Sequence, residues 1–319
     1  MTKVLLVDHE FEKYQGFLEP RFPEVDFTFA ENGDGVEPLL AGPEVLISFA
    51  RWLTPEMAAG MGELKWLQCM IAGTEHLKQP LAGRPDVLLT NGRGIHGPQM
   101  AEMTLFHMLA LYRQVRRLAK NQAGHVYERF LPKVLDTRKV AILGLGAIAE
   151  HMARVFSSLG MTVYGISRTM RAVEGIDKVF SRDNIAEAVA DVDFLVVLLP
   201  YGPDTDKIVG RDTFAAMKPS ACLINVARGG VVDEAALVEA LQSGAIAGAG
   251  LDVYEVDPLP SASPLWDMEN VFMTPFIGGR SDLYAERILT VIEPNLRAFL
   301  DGGLDKMINI VDRTETGES

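Results

Sequence analysis

Two doubly wound α/β domains, each built on a parallel sheet, are what this sequence predicts, on three observations. Short apolar runs bounded by turn residues alternate with helix-period segments along the whole chain, the pattern of βαβ units whose sheet is covered on both faces. The 319 residues exceed what one ordinary core takes up and fit two domains of about 100 to 200 residues. Composition agrees, with 48% apolar and 23% charged residues, which is ordinary for a soluble, well-buried α/β protein and unlike a disordered chain.

In the first third the strands expected are Lys3 to Val7, Asp26 to Ala30, Val45 to Phe49, Trp66 to Met70 and Val87 to Thr90. Helices are expected at Gly33 to Leu40 and at Pro55 to Met61, where Pro55 suits a first helical turn. After Asn91-Gly92-Arg93-Gly94 a long helix is predicted from Pro98 to about Ala119. Met100, Met103, Leu105, Met108, Leu109, Leu111 and Val115 give it a broad apolar surface, the mark of an interior or subunit-contact helix. A second series of strands follows: Lys139 to Leu143, Thr162 to Ile166, Phe194 to Leu198, Ala221 to Val226, Ala247 to Leu251 and Val271 to Thr274. These six strands describe a complete doubly wound domain. The last helix, Leu283 to Leu300, contains Pro294 and is expected to kink there. A short apolar run, Met307 to Val311, leads into a polar tail, Asp312 to Ser319, expected to be disordered at its end.

The net charge of −13 disfavours a nucleic-acid partner, which needs concentrated Lys and Arg. Cys69 and Cys222, each among apolar neighbours, read as small core hydrophobes and not as a disulfide or metal site. The chain begins directly with a strand-like Val4-Leu5-Leu6-Val7, without the parts of a signal peptide, and no apolar run reaches the roughly 18 residues of a membrane span. A cytoplasmic location is expected.

Val140 to Ala149 is an apolar strand delivering G-x-G-x-x-A into a helix that starts near Ala147. In that setting Gly144 permits the tight turn, Gly146 lets a pyrophosphate approach the backbone, and Ala149 still allows close helix–strand packing. Free amides around Ala147 and Ile148 would face the phosphates. The next strand ends in Ser167-Arg168-Thr169, where an NAD-preferring fold carries an acid. A hydroxyl followed by a guanidinium can instead neutralise a 2′-phosphate, which favours NADP(H). The other reading keeps Arg168 as a solvated surface charge and NAD(H) as the cofactor.

Four ordered segments carry a family resemblance: Leu199-Pro200-Tyr201-Gly202-Pro203-Asp204-Thr205, Asn225 to Glu234, Gly250 to Leu259, and Thr274-Pro275-Phe276-Ile277-Gly278-Gly279. From Gly144 to about Gly279 the chain resembles the D-isomer-specific 2-hydroxyacid dehydrogenases, of the glyoxylate/hydroxypyruvate reductase kind, and more weakly elsewhere. The resemblance implies a Rossmann cofactor domain, residues 98–286, inserted in a flavodoxin-like substrate domain, residues 1–97 plus 287–319. It implies a cleft between the two and a homodimer built on the cofactor domain and the long helix. It also implies that Leu199, Pro200, Thr205, Val226, Ala227, Asp252 and Gly278 lie along the cofactor. On the substrate side, amides near Ala72-Gly73 would hold a carboxylate, and Arg51-Trp52 could line the same cleft. Arg228 suits a 2-oxo acid on physical grounds, because its planar, permanently charged fork can hold a carboxylate and polarise the adjacent carbonyl.

Two departures set this chain apart. The family pattern has a glutamate at Asp257, orienting a histidine at Phe276 that protonates the carbonyl oxygen during reduction. Asp257 keeps the charge with one methylene less reach, whereas Phe276 can neither give nor accept a proton. Such acid catalysis is typically worth about 10² to 10⁴ in rate. His96, a water, Tyr254 and Tyr284 are the alternative donors, while His9, His76, His107, His125 and His151 read as surface or packing residues. The expectation is an NADP(H)-preferring oxidoreductase that reduces a small 2-oxo acid to the 2-hydroxy acid with impaired or altered proton donation. The alternatives are a catalytically silent nucleotide-binding or regulatory protein, and an oxidoreductase with an atypical substrate.

Overall fold

The computed structural model describes residues 1–31 and 35–313. In chain order it contains β1 (Thr2–Val7), α1 (Phe11–Arg21), β2 (Val25–Ala30), β3 (Val45–Ser48), α2 (Pro55–Gly60), β4 (Trp66–Cys69) and β5 (Leu88–Thr90). Next come α3 (Gly97–Tyr112), α4 (Val115–Ala123), β6 (Lys139–Leu143), α5 (Ala147–Ser158), β7 (Thr162–Ser167), β8 (Lys178–Ser181), α6 (Ile185–Val189) and β9 (Phe194–Val197). The chain continues through α7 (Arg211–Ala216), β10 (Cys222–Asn225), α8 (Glu234–Ser243), β11 (Gly248–Leu251) and β12 (Val271–Met273) to α9 (Tyr284–Leu300). Two compact units result, one of Met1–Ile95 with the chain from Ser281 onward, the other of His96–Arg280.

The first unit is a five-stranded parallel sheet in the order β2-β1-β3-β4-β5, the flavodoxin-type order. Its central strands β3 and β4 are buried at every position because both faces of the sheet are covered, while the edge strand β2 is only partly buried. In β1, Val4 and Leu6 enter one core with α1 and α9, while Leu5 and Val7 enter the core on the opposite face. Thr54 caps α2 by accepting the Met57 amide at 3.2 Å, with Pro55 in the first turn as expected. Past α9, the terminal segment returns beside β5, where Thr90 bridges Ile310 and the Val311 amide donates to Leu89 O at 2.8 Å.

The second unit is a seven-stranded parallel sheet in the order β12-β11-β10-β9-β6-β7-β8, the Rossmann order extended by one strand. The same alternation holds: Ala141 and Leu143 of β6 face one core, Val140 and Ile142 the other. Cys69 and Cys222 are buried in separate cores, and burial pushes their thiols up to about 11 and about 12, so neither is a reactive thiolate.

Three sequence expectations are corrected. The helix expected at Gly33 to Leu40 is only a 3₁₀ turn, Glu37–Leu39, within the described residues, and Gly33 and Asp34 lie outside them. The helix expected from Pro98 to Ala119 breaks at Gln114, whose φ is +53°, into α3 and α4. Just past the break the Arg116 guanidinium donates to Met268 O, Val271 O and Trp266 O at 2.9, 3.1 and 3.2 Å, tying the first turn of α4 to the segment that leads into β12. The second sheet has a seventh strand, β8, on its edge. Of the polar tail, residues 314–319 lie outside the described part of the chain.

Candidate active site

In the second unit the order of strands reverses between β6 and β9, and the loops at their carboxyl ends form a ready crevice. Gly144 follows β6 with φ +106°, and a β-carbon there would stand 3.0 Å from the Leu198 carbonyl, so the turn requires glycine. Gly146 is exposed, and its absent β-carbon faces open space. It precedes α5 without a side-chain cap, which leaves the first-turn amides at Ala147 and Ile148 with no capping side chain. Uncapped amides, the positive helix end and an unobstructed backbone together fit the diphosphate of a dinucleotide.

At the end of β7, Ser167 Oγ accepts the Thr169 amide at 3.2 Å, and Arg168 is exposed. The Arg168 Nη1 donates to Asp204 Oδ2 at 3.0 Å, and Arg182 Nη1 reaches the same oxygen at 3.0 Å. Arg182, aided by Arg168, holds the Asp204 carboxyl below the usual range. In the loop after β9 Leu199 is half-buried and Pro200 exposed, while Thr205 is buried. The Thr205 hydroxyl donates to Pro200 O at 2.7 Å and accepts the Gly202 amide at 2.9 Å, so it closes this loop on itself.

Arg228 leaves the buried end of β10, after Val226 and Ala227, in extended backbone. Asn225 sets the turn: its Oδ1 accepts the Ala227 amide at 3.2 Å and its Nδ2 donates to Arg228 O at 3.1 Å. The half-buried guanidinium donates to Ala227 O at 2.8 Å and has no carboxylate partner among the described residues. A β-carbon on Gly229 would fall 1.7 Å from Tyr254 O, so the loop after β11 packs directly on this turn.

Asp252, one residue past β11, is 1% exposed. Its carboxylate accepts the Thr274 hydroxyl, the Ile277 amide at 3.0 Å and the Gly278 amide at 2.8 Å, and its carbonyl accepts the Phe276 amide at 3.0 Å. Gly278 has to be glycine, since a β-carbon would lie 2.8 Å from Asp252 Oδ2. The clamp holds Phe276 at φ +54°, a strained value for a phenylalanine, with the side chain 41% exposed. His107 completes the buried network, Nε2 to Thr274 Oγ1 at 3.0 Å. Because the Thr274 hydroxyl gives its one hydrogen to Asp252, Nε2 must be the donor to it. Burial holds this imidazole at about 4, which makes His107 the packing residue expected and no acid at neutral pH.

The donors considered in place of a histidine sit as follows. His96, 9% exposed, stands at the start of α3 without a capping hydrogen bond from its side chain, beside Gly279. Tyr254 donates to Thr274 O at 2.8 Å, and burial pushes its phenol up to about 12. Tyr284 donates to Met70 O at 2.7 Å, and burial raises it as well. Asp257 is exposed.

The first unit has its own carboxyl edge. Ser48 Oγ donates to Val7 O and accepts the Ala50 amide, both at 3.0 Å, and the loop carries exposed Arg51 and half-buried Trp52. The His76 Nε2 contacts Phe49 O at 2.9 Å, tying this loop to the one after β4, where Ala72 and Gly73 are half-buried and Asn91 Nδ2 donates to Ala72 O at 2.8 Å. Asp8, one residue past β1, went unnoticed in the sequence. It is 1% exposed, and Oδ1 accepts the Glu10 amide at 2.8 Å while Oδ2 has no partner among the described residues. Burial pushes this carboxyl above its ordinary range. No group of three or more His, Cys, Asp or Glu placed to hold a metal occurs among the described residues, and no helix there is long and apolar enough to cross a membrane.

Residues 105–278 match the family described as D-isomer specific 2-hydroxyacid dehydrogenase, NAD binding domain. The chain belongs to the D-isomer specific 2-hydroxyacid dehydrogenase family. Glyoxylate/hydroxypyruvate reductase A of Serratia proteamaculans is 30% identical over 234 residues, covering 71% of this chain and 74% of that protein. A 2-hydroxyacid dehydrogenase family protein from Aeromonas salmonicida superposes with a TM-score of 0.87 at 30% identity, covering 98% of this chain and 99% of that one. The NADPH-dependent glyoxylate/hydroxypyruvate reductase of Sinorhizobium meliloti, in complex with NADP and sulfate, gives 0.82 at 29% identity, with coverage of 98% and 99%. The chain also spans 60% of the D-3-phosphoglycerate dehydrogenase of Methanocaldococcus jannaschii and 54% of that of Mycobacterium leprae. The dehydrogenase family's NAD-binding Rossmann fold is therefore the scaffold on which the glycine turn, Arg228 and the Asp252 clamp are mounted.

Proposed function

We propose that this protein is an NADP(H)-preferring reductase of small 2-oxo acids, of the glyoxylate or hydroxypyruvate type, with an altered route for the proton. The observation that carries the reading is Arg228: a half-buried guanidinium at the end of a central strand, with no carboxylate partner among the described residues. Gly144, Gly146 and the amides of Ala147 and Ile148 would hold the diphosphate, and Ser167, Arg168 and Thr169 the ribose end. The bound nicotinamide would supply hydride to the carbonyl carbon. Arg228 would hold the substrate carboxylate and stabilise charge on the carbonyl oxygen. Ala72, Gly73, Arg51 and Trp52 belong to the substrate side of the first unit. Phe276 offers no proton, so water or His96 supplies it, and Asp257 acts only through its charge. Exposed apolar side chains on α3, α4 and the segment that follows, among them Phe106, Leu118, Tyr127 and Leu131, suit a homodimer.

The test is NADPH oxidation across a panel of 2-oxo acids by the protein and by Phe276→His. The histidine variant is expected to gain about 10² to 10⁴ in rate. No turnover by either protein, with NADPH bound, would sink this reading. It would favour the one alternative that Phe276 itself supports, a nucleotide-binding protein without the reductase reaction.

A further inference from the structure

The last two strands at one edge of the Rossmann sheet, β7 and β8, end alike. Parallel pairing puts Ser167 of β7 in register with Ser181 of β8, about 4.8 Å apart by the usual strand spacing. Each serine is followed by an arginine, Arg168 and Arg182. Each also folds its hydroxyl back onto the amide two residues ahead, Thr169 at 3.2 Å and Asp183 at 3.3 Å. Two Ser-Arg steps therefore leave the sheet side by side. Both guanidiniums converge on one oxygen, Asp204 Oδ2, at 3.0 Å each.

Two like charges brought onto a single acceptor repel one another, and one carboxylate neutralises only half of the pair. A phosphomonoester is the better match, since it brings up to two negative charges and three acceptor oxygens, enough for each arginine to have its own. Arg182 is the more firmly placed of the two, its side chain 15% exposed against 47% for Arg168.

We propose that Arg168 and Arg182 form a paired guanidinium clamp for the 2′-phosphate of the coenzyme's adenosine, with Asp204 as the internal anion that occupies the clamp and competes with that phosphate. The proposal rests on the coenzyme reading above and adds two specificity residues to it. Arg182 supplies the second fork, and Asp204 sets how strongly the clamp prefers a phosphorylated ribose.

The experiment is calorimetric titration of adenosine 2′,5′-bisphosphate and of adenosine 5′-monophosphate, which differ only in the 2′-phosphate, into the full chain. The expected ratio of the two affinities falls about tenfold in Arg182→Ala, in keeping with loss of a hydrogen bond to a charged group, and is partly restored in Arg182→Lys. Asp204→Asn is expected to raise the ratio several-fold and to make it fall more steeply with added salt, because two uncompensated guanidiniums then face the phosphate. Should Arg182→Ala fail to fold, the Asp204→Asn arm decides alone, because that exposed carboxylate can be neutralised without opening the core. A ratio unchanged in folded Arg182→Ala, or unchanged or lowered in Asp204→Asn, overturns the clamp and leaves a surface ion-pair network. Failure of the underlying reading looks different: neither adenosine compound, nor NADPH, nor NADH would bind at all.

Discussion

Asp252 and Asp8 occupy equivalent places in the two units, each one residue past a buried parallel strand and each 1% exposed, yet they serve opposite ends. Asp252 receives three donors on its carboxylate and turns them into a rigid loop that presents Phe276. Asp8 receives one amide on Oδ1, with the exposed His9 ring Nδ1 3.4 Å from the same oxygen, keeps Oδ2 unpartnered among the described residues, and is pushed up by burial against the smaller opposing effects of the Glu10 amide and His9. Burial alone therefore does not tell what an acid does. The number of donors aimed at it decides whether it builds structure or stays chemically available.

The sharpest way to break this comparison is Asp252→Ala, which leaves the Ile277 and Gly278 amides and the Thr274 hydroxyl without their acceptor. It is expected to cost about 3 to 5 kcal/mol in denaturant unfolding, and a loss below about 1 kcal/mol would show that the loop holds itself. A smaller effect comes from His107 beneath the same clamp. Its imidazole lies at about 4 in the folded protein against 6.5 for the ordinary group, so between those values the unfolded chain binds more protons. Stability should rise with pH across that window and be fully present above it. About 3 kcal/mol is expected to be lost on acidifying from pH 6.5 to 4, a slope that His107→Leu should abolish.

The smallest effect, and opposite in sign, belongs to Asp8. Its folded carboxyl lies above the ordinary 3.8, so the folded state prefers the proton, and stability contributed by this group falls as pH rises through the carboxyl range. Asp8→Asn should thus be slightly more stable than the parent at neutral pH, with the difference closing on acidification. A variant less stable at pH 7 than the parent would mean that Oδ2 has a partner in solution and that the contrast with Asp252 is false.

How much of this was legible depended on where each signal resides. Most of the eleven strands read from the sequence are short, largely apolar runs, and the central ones are buried on both faces, so composition marks them directly. The twelfth, β8 (Lys178–Ser181), lies on the sheet's edge, where only some positions are covered and the run is too short to stand out. With β8 went Arg182, because its partnership with Arg168 exists only through strand register. The helix α1 escaped for a similar reason, since Gly16 and Pro20 dilute its pattern.

By itself, then, the sequence determined the alternating strands and helices, the glycine turn with its dinucleotide chemistry, Arg228, and a phenyl ring at Phe276, where the family resemblance implies a histidine. These are matters of residue type and short-range spacing, which folding does not alter. Only the tertiary structure decided that α3 and α4 part at Gln114, that Asp252 is a clamp, that Asp8 is half-satisfied, and that two arginines meet at Asp204. Those outcomes depend on which backbone amides and side chains arrive from distant segments, and hydrogen-bond geometry between such segments leaves no mark on local sequence.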